Sequence, residues 1–182
     1  MTNKIKKTEY ASFYQPYITA LSENDMGLIE NLEYSHKKAL EVLSTISKEK
    51  QIYRYAEDKW TIKEIVQHIL DAECVFNYRA LRFARRDYTE LPGFDENQFA
   101  LHSNANQRDF RSLLDEFSAL RRTTLYLYGS FSDDALLGSG KVNGNTMSVR
   151  ALGYLTSGHL LHHLNIIKSR YLKDCLWLKK MN

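Results

Sequence analysis

The stretch WTIKEIVQHILDAECVFNYRALRFARRD, residues 60–87, is the best-punctuated element of the chain. Thr61 and Glu64 stand at N-cap and N3 spacing, a capping box in which each side chain meets the other residue's backbone N–H. Trp60 and Ile65 fall at the N′ and N4 positions of a hydrophobic staple. Ile65, His68, Ile69, Ala72, Val75, Phe76, Arg79 and Phe83 then recur at three- and four-residue steps, so they share one helical face. A helix with one apolar stripe has to bury it against other elements, and the rest of the chain offers partners of the same kind.

On the N-terminal side, residues 1–20 are polar and aromatic, and Pro16 interrupts any long helix, so a short lead-in helix or extended cover is expected. From Ser22 to about Ile46 an amphipathic helix is expected, with Ile29, Leu32, His36, Ala39, Leu43 and Ile46 inward. SKEKQIYRYAEDK is a polar connection. After the helix of residues 60–87 comes YTELPGFDENQFALHSNAN, about twenty residues without clear periodicity. Connections of that length in a compact domain are functional or run from one end of the fold to the other.

A third helix is expected from about Gln107 to Tyr128, with Phe110, Leu113, Leu114, Phe117, Leu120 and Leu127 inward and Gly129 as a C′ stop. GSGKVNGNT is turn-rich, a small hairpin or a flexible loop; its GSGK lacks the spacing of a phosphate-cradling loop. The fourth helix spans about Ser148 to Leu172. The expected fold is all-α: one four-helix-bundle domain over residues 1–182, with a long crossover loop between helices two and three.

Composition narrows the function. Of 182 residues, 43% are hydrophobic and 26% charged, ordinary values for a soluble globular chain. The net charge of +3 is too small, and Lys and Arg too dispersed, to point to nucleic acid. The start lacks an apolar core after its lysines, so no secretory signal is expected. No run reaches the length of a membrane span. Cys74 and Cys175 lie far apart without CxxC spacing and are read as reduced thiols of a cytoplasmic protein.

Chemistry concentrates in GHLLHHLNII, residues 158–167, which holds three of the six histidines. On a helix, His159 and His163 fall on the apolar stripe four residues apart, while His162 is displaced to its flank. Two imidazoles at i and i+4 form a clamp for a divalent metal. His68 lies on the inward stripe of its own helix, and bundles build metal sites from side chains on facing helices. Three imidazoles leave an open coordination position, the mark of a catalytic metal; the plain alternative is three packed core histidines.

With KWTIKEIVQHILDAECVFNYRALRFARRDYTELPGFDENQFA, an arginine-bearing helix and GHLLHHLNIIKSRYL in that order, the chain resembles the DinB/YfiT-like superfamily of metalloenzymes from about Tyr10 to Leu172. The resemblance implies a four-helix bundle with nickel or zinc on three histidines, here His68, His159 and His163. It further implies either activation of a low-molecular-weight thiol, as in thiol S-transferases, or hydrolysis. Substrates would be small molecules and assembly a homodimer, with the N-terminal aromatics and the CLWLKK tail as contact surface. The competing class is a non-catalytic, stress-associated binding protein whose metal is closed by a fourth ligand, His36 or His162.

Around the triad, Glu64 is read either as a general base on metal-bound water or as the helix cap alone. Asp71 would accept the outer N–H of His68 or sit on a solvated face. Arg79 and Arg121 are inward guanidiniums expected to form structural ion pairs with Asp71 or Glu73, the alternative partner being an anionic substrate group. His36 reads as a core residue, and His102 has no argued role. Phe94, Asp95, Tyr53, Tyr55 and Tyr88 are candidate pocket lining.

Overall fold

The computed structural model describes residues 5–22 and 24–172. Two 3-10 turns, Lys7–Glu9 and Ser12–Tyr14, lead into α1 (Gln15–Ser22), followed by α2 (Leu28–Leu43) and the single turn α3 (Lys48–Gln51). Then come α4 (Ile62–Ala84), α5 (Glu96–His102), α6 (Phe110–Gly129) and α7 (Asp133–Leu137). The hairpin β1 (Ser139–Val142) and β2 (Asn145–Ser148) precedes α8 (Val149–Ile166), which continues as a π-turn over Ile167–Tyr171.

The four long helices form a four-helix bundle. α8 packs on α2 and α4, and α6 packs on the same two helices. Helix directions follow from side-chain pairing. Leu32 and Ser35 meet Arg121 while His36 meets Ser118, so α2 and α6 are antiparallel. Glu73 meets Arg121 and Asn77 meets Thr124, the numbers rising together, so α4 and α6 are parallel. His68 meets His159 and Trp60 meets Tyr171, so α4 and α8 are antiparallel. Parallel neighbours cannot be joined by a tight turn. α4 has 23 residues, ~35 Å of helix at 1.5 Å per residue, and the long connection runs back over that distance to restart α6 beside the N-terminus of α4. Lys63 and Gln67 hold its far end by bonds to Asn106 and Arg108.

That connection is not without structure. Asp95 accepts from the backbone N–H groups of Asn97 and Gln98 and starts α5. Leu91 pairs with the hairpin, its N–H donating to Lys141 O at 2.9 Å and its carbonyl accepting from Asn143 N–H at 3.0 Å. GSGKVNGNT resolves as the hairpin, with Asn143 and Gly144 at φ 48° and 76°, the Asn-Gly turn that matches strand twist.

Several boundaries differ from the sequence expectation. α2 begins at Leu28, not Ser22, because Glu30 reaches back to the Gly27 N–H and caps it there. The short lead-in helix expected near Pro16 is present as α1, with Pro16 in its first turn, where the missing N–H breaks no helical bond. α6 begins at Phe110 under the Asp109 cap, and Gln107 belongs to the preceding 3-10 turn. Gly129 is the last helical residue, not a left-handed stop; Ser130 closes the helix in right-handed conformation. Val75, Leu120 and Leu127 are only half-buried. Cys74 is a free, exposed thiol, whereas Cys175 and the CLWLKK tail lie outside the described residues. No helix among the described residues is long and apolar enough to cross a membrane.

Close approach, rather than turn chemistry, explains one glycine of the histidine motif. A Cβ on Gly158 would lie 2.0 Å from the carbonyl oxygen of Tyr17. The bare backbone lets α1 lie on α8 and brings Tyr17 beside His159 and His162.

Candidate metal centre

α4 and α8 cross with their histidine faces opposed. His68 and His159 Nε2 atoms lie 2.9 Å apart, and His159 and His163 Nε2 atoms 3.1 Å apart. A ligand atom from each of the three lies within 4.8 Å of the others. The i, i+4 spacing on α8 sets two of the rings edge to face, and α4 delivers the third from the facing helix.

The donor set fits a divalent cation. A neutral ring nitrogen either donates or accepts, yet His159 Nε2 has two nitrogen neighbours and one role to play. A cation drawing all three lone pairs removes that conflict. Tetrahedral zinc with bonds near 2.05 Å needs nitrogens about 3.3 Å apart, close to the spacing seen. Burial keeps the imidazoles neutral, as ligands must be. It pushes His68 down to about 4 and His159 to about 3, and the latter also feels His68 and His162. His163 falls to about 2 through burial and then through His159, His68 and His162.

The histidines open on a cavity of about 470 Å³ whose walls include Tyr14, Tyr17, Trp60, Phe76 and Phe94. Trp60 packs on the His68 ring with centroids 4.8 Å apart, and Phe76 meets His159 edge-on at 5.8 Å. Glu96 and Asn97, at the start of α5, add polar groups to the wall. His162 is exposed at the rim, edge-on to Tyr17 at 5.1 Å.

Other sequence-selected residues fall elsewhere. Glu64 is the cap: Oε2 accepts from the Thr61 N–H at 2.7 Å, and Oε1 accepts from Arg54 and Asn106 at 3.0 and 2.9 Å. It forms no part of the cavity wall. Asp71 does not reach His68; it accepts from the Gln67 amide at 2.9 Å, and His68 Nδ1 is buried without a hydrogen-bond partner. His36 bonds to Ser118 at 3.3 Å and packs on Phe117, away from the triad. Phe94 lines the cavity, whereas Asp95 caps α5. Tyr53 and Tyr55 sit against Tyr171, and Tyr55 lines a smaller pocket that shares Trp60, Asn97 and His163 with the histidine cavity, as expected of it; Tyr88 is exposed, and His102 is exposed on α5.

The two inward arginines part company. Arg121 is fully buried and forked onto Glu73, Nε to Oε1 at 2.8 Å and Nη2 to Oε2 at 2.9 Å; its Nη1 reaches Leu32 O and Ser35. Arg79 makes no ion pair among the described residues, contrary to expectation; its Nη2 donates to Pro92 O at 2.9 Å. Asp71 lies on another face of α4, bonded to Gln67, and Glu73 is already taken by Arg121. Sequence reasoning missed Tyr14, Tyr17 and Glu96. They come from elements outside the bundle helices, and periodicity carries no signal for which wall such residues join.

The DinB superfamily profile matches residues 31–167, a span that begins in α2 and takes in all three histidines. This chain belongs to the DinB superfamily. Among solved structures, the fold is matched by YfiT from Bacillus subtilis, described as a probable metal-dependent hydrolase with an unusual four-helix bundle topology. The match has a TM-score of 0.66 at 16% identity and covers 91% of this chain and 89% of that one. At that identity the likeness speaks for the fold. No curated protein sequence matches significantly.

Proposed function

We propose that this DinB-superfamily protein is a metal-dependent enzyme acting on small molecules, with a divalent ion, zinc or nickel, held by His68, His159 and His163. The convergence of three neutral Nε2 atoms at the wall of an aromatic cavity carries this reading. When bound, the ion supplies a Lewis acid that lowers the pKa of a thiol or water held beside it. The chain's own residues do the rest. Burial keeps the three rings unprotonated, Trp60 and Phe76 pack on two of them, and the aromatic walls give the cavity an apolar lining for a small substrate.

The favoured reaction is thiol S-transfer, with a low-molecular-weight thiol as the nucleophile. Supporting it, both Glu64 oxygens are committed to the cap, Arg54 and Asn106, so the carboxylate first considered as a base for water has other work. Hydrolysis is the second reading, and one observation favours it: Glu96 puts a different carboxylate on the cavity wall. A closed, non-catalytic metal is disfavoured, because His36 lies away from the triad and His162 is at the rim.

Elemental analysis of the purified chain beside His68→Ala and His163→Ala tests the site. Near one divalent ion per chain in the parent and almost none in the variants is expected. A parent that carries no metal and cannot be loaded with zinc or nickel overturns the reading. Assays of thiol transfer and of ester and amide hydrolysis, with and without Glu96→Gln, then choose the reaction. Hydrolysis abolished by that change would select water as nucleophile.

A further inference from the structure

Arg79 is a buried cation that the histidine centre does not use. It is 4% exposed and sits on α4 eleven residues, about three turns, beyond His68. Its Nη2 is engaged by Pro92 O, the Tyr14 hydroxyl and the Glu96 carboxylate act on it electrostatically, and the Phe94 ring centre lies 5.7 Å from its guanidinium carbon. No carboxylate among the described residues lies within ion-pair distance of it. Arg121, fully buried on the facing helix, shows what a satisfied guanidinium looks like here: forked onto Glu73. Glu96, on the same cavity wall, acts on Arg79 without an ion pair, so the guanidinium's fixed fork, which matches an oxyanion, is left without a bidentate partner.

The arginine lines a second cavity of about 220 Å³, closed on one side by Asn143, Asn145 and Thr146 of the hairpin. Phe13, Tyr14, Phe94 and Glu96 line both this cavity and the histidine cavity, so the two adjoin. Resting on the reading of the histidine cavity as the reaction site, we infer that the Arg79 cavity binds the carboxylate of a small organic acid. The apolar body of that acid lies against Phe13 and Phe94, and its other end faces the histidines. Charge selects the class of anion. One guanidinium faces the cavity, and Glu96 brings a negative charge to its rim, which suits a monoanion and opposes a dianionic phosphate. The Asn143 side chain and the Thr146 hydroxyl belong to the same wall, while the Asn145 amide is taken by Asn143 O at 2.8 Å.

Calorimetric titration of the full-length, zinc-loaded protein with phenylacetate, neutral 2-phenylacetamide and phenyl phosphate tests this. Phenylacetate is expected to bind about tenfold or more tightly than the amide and to lose a similar factor in Arg79→Gln, the worth of one charge-assisted bond. Arg79→Lys should recover part of the loss. The same series on His163→Ala separates the two cavities: Arg79-dependent binding of phenylacetate persists there even if no metal is ever held. Equal affinity for acid and amide in the unaltered chain, a comparison that needs no variant to fold, overturns the proposal. So does binding that vanishes in His163→Ala while ignoring Arg79, or a preference for phenyl phosphate over phenylacetate.

Discussion

Glu73 and Arg121 are single residues that hold three helices. Glu73 Oε1 also accepts from Thr124 at 2.6 Å, and Arg121 crosses to the backbone of α2 at Leu32. Glu73→Ala leaves that guanidinium buried without its anion and should cost about 3–5 kcal/mol, read as a lower urea midpoint. Replacing both partners with methionine should cost clearly less, because no unpaired charge remains. The ion pair at Arg121 is readable from an arginine on an apolar stripe, since such a charge demands a partner. That Arg79 cannot pair with Asp71 or Glu73 was readable too, because neither stands three or four residues from it on α4. Arg79 stands six residues from Glu73 on α4 itself, a spacing that puts the two on different faces, whereas the packing of α6 brings Arg121 onto Glu73.

Caps and glycines act on whole helices. Thr61 accepts from the Glu64 N–H at 3.1 Å and so starts α4, the helix that carries His68. Thr61→Ala is expected to lower stability by about 1 kcal/mol, measurable by thermal melting. Gly158 works between helices. Gly158→Ala drives a methyl against the Tyr17 carbonyl, a backbone atom that cannot swing away, and should destabilise by about 1–3 kcal/mol. It should also lift α1 and enlarge the histidine cavity, which a crystal structure of the variant would show. The start of α4 was legible because its capping box is a pattern four residues long. α5 was not, because seven residues are too few for periodicity to mark.

Over the molecule, pH and metal act through the same three rings. The folded values of about 4, 3 and 2 for His68, His159 and His163 lie below the ordinary 6.5, so as pH falls the unfolded chain takes up protons first. Metal-free protein should be most stable above pH 6.5 and lose stability progressively below it, by up to about 1.4 kcal/mol per pH unit for each imidazole. Melting temperatures between pH 7.5 and 5 check the sign, and His163→Leu should flatten the slope. A chelator should lower the melting temperature of loaded protein, since metal at 100 times its dissociation constant adds about 2.7 kcal/mol. No change on chelation would argue against a bound ion.

What could be read from the chain was local. Three- and four-residue spacing marks the faces of α2, α4, α6 and α8, and H-x-x-x-H puts His159 and His163 on one side of a single helix, whatever surrounds it. The length of the connection after α4 also told truly, because parallel neighbours require the chain to run back along the bundle. Tertiary packing settled the rest. It sent Glu64 to Arg54 and Asn106, brought Arg121 onto Glu73, and set Glu96 and Tyr17 around the histidines. Those outcomes depend on which helices lie side by side and which way each runs. Side-chain spacing along one helix carries no information about either.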